Sequence, residues 1–318
     1  AYNAVTAMLE LAMGPFGNRA PGGMGLARAG QRRGGVRWWV LLLFAGYMGY
    51  YWLSNKQDAS FTGRSQLIDT SVEEEAALGL QSFQEVLSQS NVVTQGELPG
   101  QVSAIAQRLV AAAPKVEEWL ATNRGIPKSV RWDAFDWQVA VIDSEQANAF
   151  CLPGGKIAVY TGIIPVAQNA DALAAVMGHE IAHALLRHGA ERMAQQKLVQ
   201  IGSMATGMAI GDMDPGQQQM VMAALGAGAQ YGVLLPFSRD HETEADMIGL
   251  MISAAGCFDP RESIGLWERM GANSGGQSPP EFASTHPAST TRISNLQGWM
   301  PDAMTIRDAM GCPPLANP

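Results

Sequence analysis

His179 and His183 stand four residues apart in the run His179-Glu180-Ile181-Ala182-His183, within the apolar stretch from Ala172 to Leu186. On a helix that spacing stacks two imidazoles on one face, one turn apart, so both can converge on a single divalent metal. Glu180 is rotated by about 100° around the same axis. From there a carboxylate can take a proton from a metal-polarised water without replacing it as a ligand. The flanking residues Ala182, Ala184, Leu185 and Leu186 are apolar, so the histidines are expected to be buried. Buried imidazoles beside a buried carboxylate need a partner, and a metal ion is one.

A hydrolytic zinc site needs a third protein ligand and one open position. The stretch Ser238 to Asp246, SRDHETEAD, supplies candidates. Glu242 and Asp246 share a helix face, so Glu242 can bind the metal while Asp246 orients His179 from outside the ligand set. His241 and Glu244 are competing ligands. Spacing favours Glu242, because His241 and Glu244 point about 100° and 200° away, toward solvent or the domain edge. Ser238 reads as the helix cap, and His188 as a charge at the C-terminus of the preceding helix. Two histidines and a carboxylate also suit Fe(II), but on this helix they favour one Zn2+ per chain.

The elements that must hold these groups are mostly helical. Ser71 with Glu74 forms a capping box ahead of Ala76, Leu80, Phe83 and Leu87 at helical spacing. Val102, Ile105, Leu109, Val116 and Leu120 continue in a second helix, which Pro114 is expected to kink or divide. Trp137, Val139 and Val141 alternate with polar or small residues, and Ile157 and Val159 repeat the alternation after the turn residues Pro153, Gly154 and Gly155. From Asn169 the pattern is helical, with stops at Gly189 and Gly256 and a new start at Asp259. The fold class is α+β, mostly helical with a small antiparallel sheet. The Gly-, Ala- and Met-rich stretch from Ile201 to Phe237 is interrupted by Asp212, Asp214 and Pro215, so it reads as a lid packed over the zinc helix, not as a membrane span.

With 318 residues, 47% apolar and 16% charged, the chain can bury a large core. The net charge of -8 is unevenly spread: residues 1–37 carry five Arg against one Glu, leaving 16 basic and 28 acidic groups in the rest. A nucleic-acid-binding surface is therefore not expected. Arg28, Arg32, Arg33 and Arg37 precede the uncharged run Trp38 to Leu53, which has aromatic residues at both ends. That is the pattern of a transmembrane signal-anchor with its N-terminus in the cytoplasm. The expected organisation is a basic, disordered segment over 1–37, an N-terminal transmembrane helix over 38–53, a polar linker over 54–70, a catalytic domain over 71–310 and a tail over 311–318. The first residue is Ala1, and the expected translation start is near Met24. In an extracytoplasmic domain Cys257 and Cys312, each after a glycine near a helix end, are the expected disulfide, leaving Cys151 free.

Taken together, HEIAH, HETEAD, THPAST with Arg292, NAFCLPGGKIAVYTGII over 148–164 and HGAERM over 188–193 resemble the HtpX/Oma-type zinc metallopeptidases. These are gluzincin relatives of the CAAX prenyl endopeptidases and of BepA/LoiP-like envelope proteases. The resemblance spans roughly residues 65–300 and implies a zincin-type domain. It implies His179, His183 and Glu242 as zinc ligands and Glu180 as general base and then proton donor. His286 matches a family histidine near the metal, acting as an oxyanion stabiliser or as a latch that fills the fourth position. Asn148, Ala149 and Phe150 resemble the edge strand that holds an extended peptide substrate.

The expected function is a membrane-anchored zinc metalloendopeptidase of envelope protein quality control, acting on misfolded or unfolded proteins and peptides and attached to the membrane by its N-terminal helix. The expected location is the bacterial inner membrane with the catalytic domain in the periplasm, or alternatively the mitochondrial inner membrane. The rival function is a non-proteolytic, zinc-dependent chaperone or assembly factor that uses the same groove.

Overall fold

The computed structural model describes residues 36–230, 234–273, 282, 286 and 290–315. The basic segment before residue 36 and the end of the tail lie outside the described residues.

The first helix, α1 (Trp38–Asn55), leads into a short antiparallel hairpin of β1 (Lys56–Asp58) and β2 (Ser65–Leu67). Then follow α2 (Val72–Ser88) and α3 (Leu98–Arg124). The capping box at Ser71 forms as its spacing predicts: Ser71 Oγ accepts from Glu74 N at 3.1 Å, and Glu74 Oε2 accepts from Ser71 N at 2.9 Å. α3 runs unbroken through Pro114, so the expected division there does not occur.

Strands β3 (Gln138–Ile142), β4 (Ala149–Leu152) and β5 (Lys156–Tyr160) form a sheet in the order β3-β5-β4. β4 and β5 are antiparallel, with Cys151 opposite Ile157. β3, however, lies parallel to β5, with Val139 opposite Ile157, so the sheet is mixed where an all-antiparallel one was expected. The turn at Pro153 to Gly155 joins β4 to β5, not β3 to β5, and β4 takes the open edge.

The remaining helices are α4 (Ala170–Leu185), α5 (His188–Ala209), α6 (Pro215–Ala229), α7 (Leu235–Ala255), α8 (Glu262–Asn273) and α9 (Thr290–Ala309). α4, carrying His179 to His183, is the centre of the core: α3, α7, α8 and β4 all pack on it. Its closest neighbour is α7. A Cβ on Gly178 would come 2.7 Å from Ser253 Oγ, and one on Gly249 would come 2.7 Å from His179 N. Only glycines allow the two helix backbones this approach.

Three expectations need correction. Residues 54–70 are not a bare linker, because the hairpin buries Ala59, Phe61, Leu67 and Ile68 and joins the core. α6, the middle of the expected lid, packs on α5 and buries none of its own residues, while residues 231–233 of that stretch lie outside the described residues. Gly189 stops nothing, since α5 begins one residue before it.

Over 38–53 there is a helix, extended to Asn55. It lays Val40, Tyr47 and Tyr51 on α5 and exposes Trp38, Leu42, Tyr50 and Leu53. Among the described residues no helix is long and apolar enough to cross a membrane. Three tyrosines and two glycines lower the apolarity of α1.

Cys257 is bonded to Cys312, 55 residues along the chain, and Cys151 is a buried free thiol. Burial raises the Cys151 pKa well above the ordinary thiol range, with the Glu180 carboxylate adding to the shift. Alkylation at pH 8 without reductant is therefore expected to leave the folded chain unmodified. The denatured chain should take up one alkyl group, and three after reduction. Intact mass reads all three states, and three groups on the unreduced chain would rule out the disulfide.

Candidate metal centre

α4 starts where Asn169 Oδ1 accepts from Ala172 N at 2.8 Å, and it ends at Leu185. Arg187 then takes a left-handed conformation, φ 58°, which lets α5 start at once. Its guanidinium supports that turn by bonding Glu75 Oε1 at 2.6 Å, Gln57 Oε1 at 3.1 Å and the Thr70 carbonyl at 2.9 Å.

Across the close α4–α7 contact the two histidines meet Glu242. His179 Nε2 and His183 Nε2 are 3.1 Å apart, and each lies 3.4 Å from a Glu242 carboxylate oxygen. His286 reaches the same point, its Nδ1 2.8 and 2.9 Å from the two Glu242 oxygens and 3.3 Å from His179 Nε2. One donor atom from each of these four residues lies within 4.8 Å of every other. Three imidazole nitrogens and a carboxylate converging on one point are a donor set that can share one cation. A divalent cation satisfies it, and borderline nitrogen and carboxylate donors suit zinc.

Glu180 projects beside this cluster and not into it. Its Oε1 is buried without a hydrogen-bond partner and faces His286 Nε2 at 3.5 Å. Asp246 Oδ1 lies 3.1 Å from His179 Nδ1, as the sequence spacing suggests. Arg292 is also part of the centre: it is buried, bonds both Asp246 oxygens at 2.6 and 2.7 Å and approaches Glu242 Oε2 at 3.0 Å. Burial opposes charge on His179, but Asp246 and Glu242 outweigh it and raise its pKa to about 9. For His183, burial and then the charge of His179 prevail over Glu242 and lower the pKa to about 3. Glu242 is held well below the usual carboxylate range, its burial overcome by the three histidines.

The other polar residues of this region depart from expectation. Ser238 is not a cap, since α7 begins at Leu235, where Pro236 fits the first turn. His241 and Glu244 do not face solvent; both are buried, because α7 is covered on two sides. His188 begins α5 and does not end α4. The missed residues carry a signal in hindsight: His188 with Glu191 and His241 with Glu244 repeat one histidine–glutamate spacing of three on neighbouring helices.

Glu191 is held at a pKa of about 2, its burial outweighed by Arg64 and His241. A carboxylate with a depressed pKa contributes stability that is complete above its unfolded value and lost as pH falls. The urea midpoint is therefore expected to fall between pH about 4.5 and about 2, and Glu191→Gln to flatten that slope. Equal slopes for the two chains would contradict the assignment.

On the substrate side, strand parity decides which backbone groups are free. Tyr160 N donates to Asn148 O at 3.0 Å, so Asn148, Phe150 and Leu152 face β5, while Ala149 and Cys151 turn their main-chain groups to the open edge. The expected trio is thus only partly outward: Ala149 is, and Asn148 and Phe150 are not. Asn148 Oδ1 accepts from Ala149 N at 2.9 Å, and the Phe150 ring packs on Tyr160. A cleft of about 410 Å³ runs from His183, Glu242 and His286 past Cys151 and Leu152 to Arg192 and Gln196.

An HExxH helix, a carboxylate from a second helix and an edge strand beside them define a zincin-type metallopeptidase. The chain belongs to peptidase family M48, whose family model matches residues 114–300. It is 34% identical over 282 residues to the mitochondrial metalloendopeptidase OMA1 of Schizosaccharomyces pombe, covering 86% of this chain and 75% of that protein. The Saccharomyces cerevisiae protein of the same name is 33% identical over 297 residues, covering 88% and 79%. The beta-barrel assembly-enhancing protease of Yersinia pestis is 27% identical over 246 residues, covering 74% and 46%. The chain is therefore a zinc metalloendopeptidase.

Proposed function

We propose that this endopeptidase cuts unfolded polypeptide laid along β4, with His179, His183 and Glu242 as its zinc ligands and Glu180 as its general base. The observation that carries this reading is the convergence of the donor atoms with an unbonded, buried Glu180 oxygen beside them. Zinc, when bound, supplies Lewis acidity that lowers the pKa of water toward about 7 and polarises the scissile carbonyl. Glu180 accepts the proton from the attacking water and returns it to the leaving nitrogen. Asp246, clamped by Arg292, keeps the His179 ring turned toward its ligand position. The outward Ala149 carbonyl and the Cys151 main-chain groups pair with the substrate main chain, which makes recognition tolerant of sequence.

His286 takes the role of a latch in this reading. Its Nδ1 already lies among the ligand atoms, where it can occupy the fourth position until substrate displaces it. The test is cleavage of unfolded casein by the full chain, before and after chelation and zinc restoration, alongside His286→Ala. Zinc-dependent cleavage that rises in His286→Ala is the expected result. A fall in that variant would make His286 a stabiliser of the oxyanion, and zinc binding without cleavage in both chains would sink the peptidase reading.

The proposed setting is membrane protein quality control in the bacterial envelope, with the catalytic domain on the periplasmic side, or at the mitochondrial inner membrane. Support comes from the arginines before α1, the apolar side chains α1 exposes, the disulfide and the kinds of protein the relatives are.

A further inference from the structure

A second buried polar cluster lies behind His183, on the side away from the proposed zinc position. His183 Nδ1 is 2.9 Å from His188 Nδ1, and His188 Nε2 is 3.1 Å from Glu244 Oε2. Glu244 Oε1 accepts from Thr62 Oγ1 at 2.6 Å, and its Oε2 accepts from Arg64 Nε at 2.9 Å. Arg64 then grips both oxygens of Glu191, at 2.9 and 2.6 Å, and Glu191 accepts from His241 Nε2 at 2.9 Å. The His241 ring stacks on His188, with centroids 4.3 Å apart. His188, His241, Glu244 and Glu191 are all buried.

The proton pattern of this chain follows from its ends. Arg64 and Thr62 can only donate to Glu244 here, so Glu244 is the acceptor for His188 Nε2–H. His188 Nδ1 then carries a lone pair, and the facing His183 Nδ1 must hold the proton between them. That leaves the His183 Nε2 lone pair directed at His179 and Glu242, where a metal ligand needs it. At His179 the neighbour of Nδ1 is instead one carboxylate, Asp246, at 3.1 Å. His183 has no carboxylate within reach of Nδ1 among the described contacts and uses an imidazole to span the distance.

We propose that His188 and Glu244 are positioning residues that fix the tautomer and ring orientation of His183, with Arg64 and Thr62 of the hairpin anchoring the relay. The proposal rests on His183 being a zinc ligand. Zinc affinity of the full chain, measured against a chromophoric chelator, is the test. His188→Phe keeps a ring but removes both nitrogens, and zinc is expected to bind about 10–100-fold more weakly. His188→Gln, with a carbonyl to accept and an amide to donate, should return to within about threefold of the parent by the same donor and acceptor count.

In the zinc-loaded parent, long-range 1H–15N correlation should show the His183 proton on Nδ1. This readout does not depend on any variant folding. A folded His188→Phe chain with parental affinity would overturn the relay, as would a folded Gln variant no better than Phe, or a His183 proton on Nε2. Failure of the underlying ligand reading is distinguishable, because His183→Ala would then bind zinc as tightly as the parent.

Discussion

Replacing Glu180 with Gln is expected to lower kcat/KM for casein by about 10²–10⁴-fold while leaving one zinc per chain. Gln has nearly the same shape as Glu, so the packing of α4 is preserved, and Glu180 is not among the four residues whose donor atoms converge. The amide cannot accept a proton from water at neutral pH, which is the step assigned to the carboxylate. Metal content and turnover must therefore separate in this variant. A Glu180→Gln chain that cleaves as fast as the parent would remove the general base from the mechanism. The zinc-dependent chaperone predicts something else again: no cleavage by either chain and equal binding of unfolded casein by both.

The second large effect concerns a residue with no side chain. Ala at position 249 would put a carbon 2.7 Å from His179 N and 2.8 Å from His179 Cα. Ordinary carbon contacts lie near 3.5–4.0 Å, so α4 and α7 must part by roughly 1 Å. The expected cost is about 1–3 kcal/mol of stability. Because the parting helices carry His179 and Glu242, casein cleavage should fall by about 10²-fold as well. Gly207, exposed on α5 with nothing within 4 Å of a new Cβ, is the control. There Gly→Ala should stabilise by about 0.5–1 kcal/mol through helix propensity. If Gly249→Ala behaved like Gly207→Ala in urea unfolding and turnover, the close approach would not set the site.

What the sequence made legible was what helical periodicity decides. His179 with His183 and Glu242 with Asp246 are four-residue pairs, so each pair shares a face wherever its helix is placed. The capping box at Ser71 is equally local, and so is the stop at Gly256. What escaped depends on partners distant along the chain. The parallel pairing of β3 with β5 is a choice among strand orders that alternation does not encode. Glu244 and His241 look like surface groups on a helix with one buried face, and α7 has two. Arg64 was hidden in a stretch whose polar composition suggested a linker, although its guanidinium neutralises Glu191 and Glu244 from 127 and 180 residues away. A buried charge is justified only by its counter-charge, and the pairing appears once the chain is folded.

The bond between Cys257 and Cys312 encloses α8, His286 and all of α9 in one covalent loop. By chain entropy alone, closing a loop of that size is worth about 4 kcal/mol. It also changes what a proteolytic cut does to this enzyme. A single cut anywhere between the two cysteines opens the backbone but releases no fragment, so the molecule keeps its mass apart from one added water. Such a nicked enzyme runs as intact protein until the sample is reduced, when it separates into two pieces. In an oxidising compartment a cut in the loop that carries His286 and Arg292 therefore leaves both pieces tethered, whereas in a reduced chain only non-covalent packing holds the C-terminal piece.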